Sequence, residues 1–178
     1  MKTQQTSKQY FLFLKIFYAA LLFGQVFFAG ISFYLHQDNG FNKEAKPSGN
    51  VGGLFEYIVP ALALVCLLGS YFVVKYLIEN AKNKVPLSDK LNAYRTALLI
   101  RSAILELPTL FAIIIYFTTG DQYYLGIALG LIAFFALTNF PTIERTITDL
   151  NLDWNDKAKV EDPTAFVCEV ATRKNIEF

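Results

Sequence analysis

Apolar residues in this chain gather in long unbroken runs, not in the alternating pattern of a half-buried strand. Residues 16–35, 57–74 and 122–143 contain no Asp, Glu, Lys or Arg. A hydrocarbon core of roughly 30 Å needs about 20 residues of helix. A third run, about 96–118, is long enough but carries Arg101 and Glu106. The pattern predicts spans at about 14–36, 54–77, 96–118 and 122–140, an all-α polytopic membrane protein built as a four-transmembrane-helix bundle. Residues 1–140 then form the membrane domain, and residues 141–178 a cytoplasmic amphipathic helix and short tail.

The segments between the runs carry turn chemistry. The first, about 37–53, holds Asn39-Gly40, Pro47, Ser48-Gly49-Asn50 and Gly52-Gly53, which suits a linker. The second holds Pro86-Leu87-Ser88-Asp89, a helix start with Ser88 as expected N-cap. After the last run, Ile143, Ile147 and Leu150 recur at i, i+4, i+7, one helical face. Pro141 is placed to break this helix from the fourth span and lay it along the interface, with Trp154 as an interfacial anchor. The alternative is that the helix simply continues and packs on the inner loop. Beyond Asp156 a short strand, a docking segment and disorder all stay open.

Short-loop Lys and Arg set orientation. Lys75, Lys82, Lys84, Lys90, Arg95 and Arg101 flank the middle connection, against Lys43 and Lys46 in the first and none in 118–122. The middle connection and both termini are therefore expected in the cytoplasm of a cell whose inner membrane holds the protein. Lys2 and Lys8 before an apolar run imitate a signal peptide, but the run is too long for one, and an uncleaved first helix is expected.

Composition agrees and excludes several classes. The chain is 54% apolar, 16% aromatic and 17% charged, against roughly 25% charged in an average soluble domain. A net charge of +1 gives no electrostatic footprint for nucleic acid. Cys66 and Cys168 form no CxxC pair, so neither a disulfide framework nor a zinc or redox site is expected. With one histidine and no acidic cluster beside it, no enzymatic activity, metal or cofactor is expected.

Polar residues inside a span are costly and must face protein or water. Lys15, Tyr18, Gln25, Ser32 and His36 lie on one stripe of the first span, with Leu22 and Ala29 between them. Arg95, Ser102, Glu106, Thr109 and Tyr116 form a stripe on the third, and Glu56, Pro60, Ala63, Cys66 and Ser70 one on the second. Gly126 and Gly130 in the fourth form a GxxxG pair that permits close helix approach. A charge at mid-helix costs about 2.5–3.5 kcal/mol, which a carboxyl reduces by taking up a proton. Glu106 and Gln25 come out at one depth, counting 1.5 Å per residue from the span ends. The expected site joins the Gln25 amide, Ser102 and Thr109 to the Glu106 carboxyl, with Arg101 snorkelling to the headgroups.

A helix, a basic loop, and a helix carrying Ala103-Ile104-Leu105-Glu106 with an aromatic-aliphatic run resembles, over about 54–117, the rotor-ring proteolipid of ATP synthases. That resemblance implies an ion-carrying carboxylate at Glu106. The chain departs from it in lacking the family's glycine ladder and in its flanking helices and tail. Taken whole, through 101–115 and 141–152, the chain resembles small four-span bacterial inner-membrane proteins of unassigned function. Two roles follow from the residues. One is a non-enzymatic assembly or accessory component, partnered by the lipid bilayer and by its own copies or another membrane protein. The other is a small proton-coupled transporter or channel using Glu106.

Overall fold

A computed structural model describes residues 2–38 and 51–171. The elements are β1 (Lys2–Thr6), α1 (Ser7–Asp38), α2 (Val51–Lys82), α3 (Leu87–Thr119), α4 (Gln122–Thr138), α5 (Ile143–Leu150), α6 (Trp154–Glu161) and β2 (Phe166–Ala171). Three helices, α1 to α3, are long and apolar enough to cross a membrane, and the bent pair α4–α5 would make a fourth. The protein is thus a helical one with three to four candidate membrane-spanning helices. With 17 residues α4 reaches about 25 Å, slightly under the hydrocarbon core. The glycine-rich linker expected around 37–53 lies mostly outside the described residues.

The helices start and stop where local chemistry closes their ends. Thr6 and Gln9 form a capping box before α1: the Thr6 N–H donates to Gln9 Oε1 (3.1 Å), and the Gln9 N–H to Thr6 Oγ1 (3.4 Å). At α3 the expected N-cap is displaced. The helix already includes Leu87, and the Asp89 and Lys90 N–H groups donate to the Pro86 carbonyl, so Ser88 lies inside the first turn. Pro60 and Pro108 are accommodated within α2 and α3. Between α3 and α4, Gly120 takes φ +71°, and a Cβ there would run into the His36 ring. Asp121 then caps α4 by accepting from the Tyr123 N–H (2.9 Å).

The described chain forms two compact units. The first holds the chain up to Tyr18, Val74–Leu99 and the chain from Pro141 onward; the second holds Ala19–Val73 and Ile100–Phe140.

The first unit is a folded body, where the sequence suggested a helix and a tail. Its core gathers Tyr10, Phe11 and Leu14 of α1, Ala81 of α2, Leu87, Leu91 and Tyr94 of α3, then Leu150, Val160, Val167 and Cys168. Ile143 and Ile147 pack on this core, so the apolar face of α5 meets protein here. Thr142 caps α5, Asn151 ends it in the left-handed conformation (φ 46°), and Asp153 caps α6. β1 and β2 pair antiparallel from Lys2↔Ala171 to Thr6↔Phe166, with an irregularity between Gln5 and Thr6. This small sheet adds to the expected all-α fold. It settles the segment after Asp156, up to Ala171, as a short helix and a strand.

Buried hydroxyls and amides tie the unit together. Tyr10 Oη donates to the Leu91 carbonyl (2.7 Å), Tyr94 Oη to Asp149 Oδ2 (2.9 Å) and Asn92 Nδ2 to the Glu169 carbonyl (3.3 Å). Arg145 Nε lies 3.6 Å from the same Asp149 oxygen. The Arg95 guanidinium sits over the Phe13 ring at 5.8 Å.

The second unit has its own apolar cluster, in which Ala29, Val59, Ala112, Ile113, Tyr116, Tyr124, Ala128 and Ile132 come from four helices. Its outer face is aromatic. Phe23 and Phe27, both largely exposed, stack one helical turn apart with ring centroids 5.8 Å apart.

Leu150 is 1% exposed in the core of the first unit. Leu150→Ala is expected to cost about 2–5 kcal/mol. Limited proteolysis should then cut the chain after residue 141 well before it cuts α1.

Candidate functional site

The polar stripe of α1 faces inward from Tyr18 onward. Tyr18, Gln25, Ala29 and Ser32 are all buried, and His36 is half-buried with its ring 5.6 Å from that of Tyr116. Lys15 does not join them. It is exposed, and Leu14 takes the buried position in its place, as expected of a long cationic side chain at the foot of a span.

Gln25 is 1% exposed, and neither atom of its amide has a hydrogen-bond partner. The expected donation to Glu106 is therefore not made. Thr109 is buried, and its hydroxyl turns back to the Leu105 carbonyl (3.0 Å), as threonine does readily in a helix. Ser102 is buried as well. Glu106 is half-buried on α3, between the buried Leu105 and the 54%-exposed Leu107. Gln25, Ser102 and Thr109 are thus buried while Glu106 is only half-buried, and Gln25 and Thr109 do not hydrogen-bond the carboxyl.

The remaining polar positions divide similarly. On α2, Ala63 and Ser70 are buried, Cys66 is half-buried and Glu56 is exposed. Gly126 and Gly130 lie on the exposed face of α4, and nothing lies within 4 Å of a Cβ built on either. Close packing of α4 inside the chain uses Ala128 instead, which is fully buried. Trp154 is 81% exposed at the start of α6. Ser32 Oγ, His36 Nδ1 and both amide atoms of the buried Asn139 also have no hydrogen-bond partner. Among the described residues no three His, Cys, Asp or Glu side chains gather as a metal site.

The first unit contains a cleft that the sequence did not disclose. It has a volume of 570 Å³, with Pro86, Ser88 and Lys90 on one wall, Asp153, Asp156 and Lys159 on another, and Phe166 and Cys168 from β2. Lys90 Nζ and Asp156 Oδ2 lie 3.6 Å apart across it, with side chains 17% and 18% exposed. Cys168 Sγ donates to Asn92 Oδ1 at 3.1 Å. Burial pushes the Cys168 thiol above its ordinary range, with Arg95 and Asn92 acting the other way. In the loop after α6, hydrogen bonds from Thr164 hold the Asp162 carboxyl below the usual carboxylate range. Pairwise spacing in the sequence could not reveal this cleft, because its walls join segments about eighty residues apart.

No protein-family model, curated protein or solved structure matches this chain.

Two outcomes follow from these environments. Leucine at position 25 removes a buried amide with no partner, so Gln25→Leu is expected to stabilise the fold by about 1–3 kcal/mol in thermal unfolding. In a Cys66→Ala background, Cys168 should react with N-ethylmaleimide more slowly than a free thiol at neutral pH. A raised pKa leaves less thiolate at a given pH, so the rate should keep climbing as pH rises past the range where a free thiol levels off.

Proposed function

We propose that this protein is a non-enzymatic integral membrane component that works by lateral assembly with further transmembrane helices, its own copies or another membrane protein. It would sit in the inner membrane as four spans with both termini cytoplasmic, α4 being the last span and ending before Pro141. The observation carrying this reading is the half-exposed carboxyl of Glu106 inside α3, a candidate span. A mid-span carboxyl facing lipid is costly, and a partner helix that covers it and hydrogen-bonds it removes the cost. The open Gly126/Gly130 face of α4 supports the same reading, since two small residues one turn apart admit a neighbouring backbone closely.

A second reading has its own support. The side-chain polar atoms of Gln25, Ser32 and Asn139 are buried in the second unit without hydrogen-bond partners. Such groups suit the wall of a proton or ion path, with Glu106 as the carrier.

Leucines at Gly126 and Gly130 fill open space, so Gly126→Leu with Gly130→Leu should leave the single chain folded. Self-association of this double variant, read by energy transfer between labelled copies in bilayers, should weaken about tenfold or more, equivalent to about 1.4 kcal/mol. Unchanged association would remove the α4 face from the proposal. Glu106→Leu separates the two roles. A structural carboxyl predicts a lower melting temperature, from a stability loss of about 1–3 kcal/mol, together with lost association. A higher melting temperature with lost proton flux in liposomes would favour the carrier, a residue retained at a cost to stability.

A further inference from the structure

The first unit has a second cleft, of 370 Å³, whose lining includes Lys8, Phe11, Leu12 and Lys15 of α1, Ile143 of α5 and Glu161 of α6. Its base is fixed by hydrogen bonds. The Ser7 N–H donates to the Ala165 carbonyl at 3.0 Å, the Lys8 N–H to the Pro163 carbonyl at 3.3 Å, and the buried Ser7 hydroxyl to the Val160 carbonyl. Its walls are mainly apolar. Phe11 is buried in the core beneath, Ile143 is partly buried, and Leu12 is 52% exposed. The acidic group in the lining, Glu161, is 3.8 Å from Lys157 Nζ. Lys8 and Lys15 are exposed, and neither makes an ion pair among the described residues.

The two lysines are seven residues apart, about 10 Å along the helix and within about 20° of one face. The charge-free run 16–35 spans about 30 Å as a helix, so the hydrocarbon boundary falls beside Lys15. Lys8 then stands about 10 Å further out, at headgroup level. Beyond Lys15, Ile16 and Phe17 continue the apolar surface into the hydrocarbon, 60% and 37% exposed.

We infer that this cleft seats an anionic phospholipid of the adjoining leaflet. Its phosphate would lie between the Lys8 and Lys15 ammonium groups, and an acyl chain would run along Leu12 and Ile143 toward Ile16. The apolar wall selects a lipid over a free anion, and the paired cations select an anionic headgroup over a zwitterionic one.

The test reconstitutes the full chain in phosphatidylcholine bilayers carrying a minor fraction of spin-labelled phosphatidylglycerol or spin-labelled phosphatidylcholine. The motionally restricted fraction of each probe gives its relative association. The native chain is expected to prefer phosphatidylglycerol, and Lys8→Gln with Lys15→Gln to lose that preference by about fivefold per lysine. Arginine at both positions should retain it, which also shows that the site tolerates substitution without unfolding. Lys84→Gln with Lys159→Gln removes two exposed lysines elsewhere and should leave the preference intact. An equal loss in that control, or no preference in the native chain, overturns the proposal. So does displacement of the lipid probe by inorganic phosphate at matched ionic strength, which would reveal a free-anion site.

Discussion

The first unit depends on the burial of Tyr10. Its ring is fully enclosed, meets Phe11 edge-on at 5.2 Å, and its hydroxyl reaches the Leu91 carbonyl one helix away. A tyrosine can be buried only where its hydroxyl is satisfied. That requirement fixes the start of α1 against α3, and the rest of the unit closes around the contact. Burial also pushes neighbouring Cys168 toward the neutral thiol, in keeping with a core position for a small side chain. Ser7 and the capping box at Thr6 hold the chain just before Tyr10, so β1 enters at a set angle and register.

Much of the helical layout is legible in the sequence for one reason. Hydrocarbon leaves the backbone no partner except itself, so an apolar run of sufficient length must be a helix. That argument places α1, α2, α3 and the turn at Gly120-Asp121, although α1 and α3 begin seven and nine residues before the expected spans. It is weaker for α4, where seventeen residues followed by Asn139 and Pro141 make a short helix with a break. The first unit was nearly illegible. β1 reads Lys-Thr-Gln-Gln-Thr and has no apolar pattern of its own; it is a strand because β2 offers it a ladder. Pairing across about 160 residues leaves no local mark.

The candidate site shows the same division. Helical spacing correctly assigned Gln25, Ser32, Ser102 and Thr109 to inward faces, because burial follows the 3.6-residue period. It could not assign hydrogen bonds. Gln25 and Glu106 at one depth are neighbours only if their helices turn those faces together, and the rotation of a helix about its axis is set by packing. Thr109 had a nearer acceptor in its own helix and took it. Lys15 followed solvation, not the stripe, since its ammonium is cheaper outside than in.

Several buried polar side chains of the two units differ in whether they find partners. In the first, the hydroxyls of Ser7, Tyr10 and Tyr94 all find acceptors, as does the Asn92 amide. In the second, Gln25, Ser32 and Asn139 are buried and have none. A buried polar group without a partner costs free energy, and an apolar residue of similar size would remove that cost. Stability alone therefore favours replacing Gln25 by leucine, whereas stability alone favours keeping Tyr10. Local rules broken without a compensating contact mark the places where function opposes stability. By that criterion the hydrogen-bonded core around Tyr10 serves stability, and the unpartnered polar side chains of the second unit, together with Glu106, are the positions on which the proposed role rests.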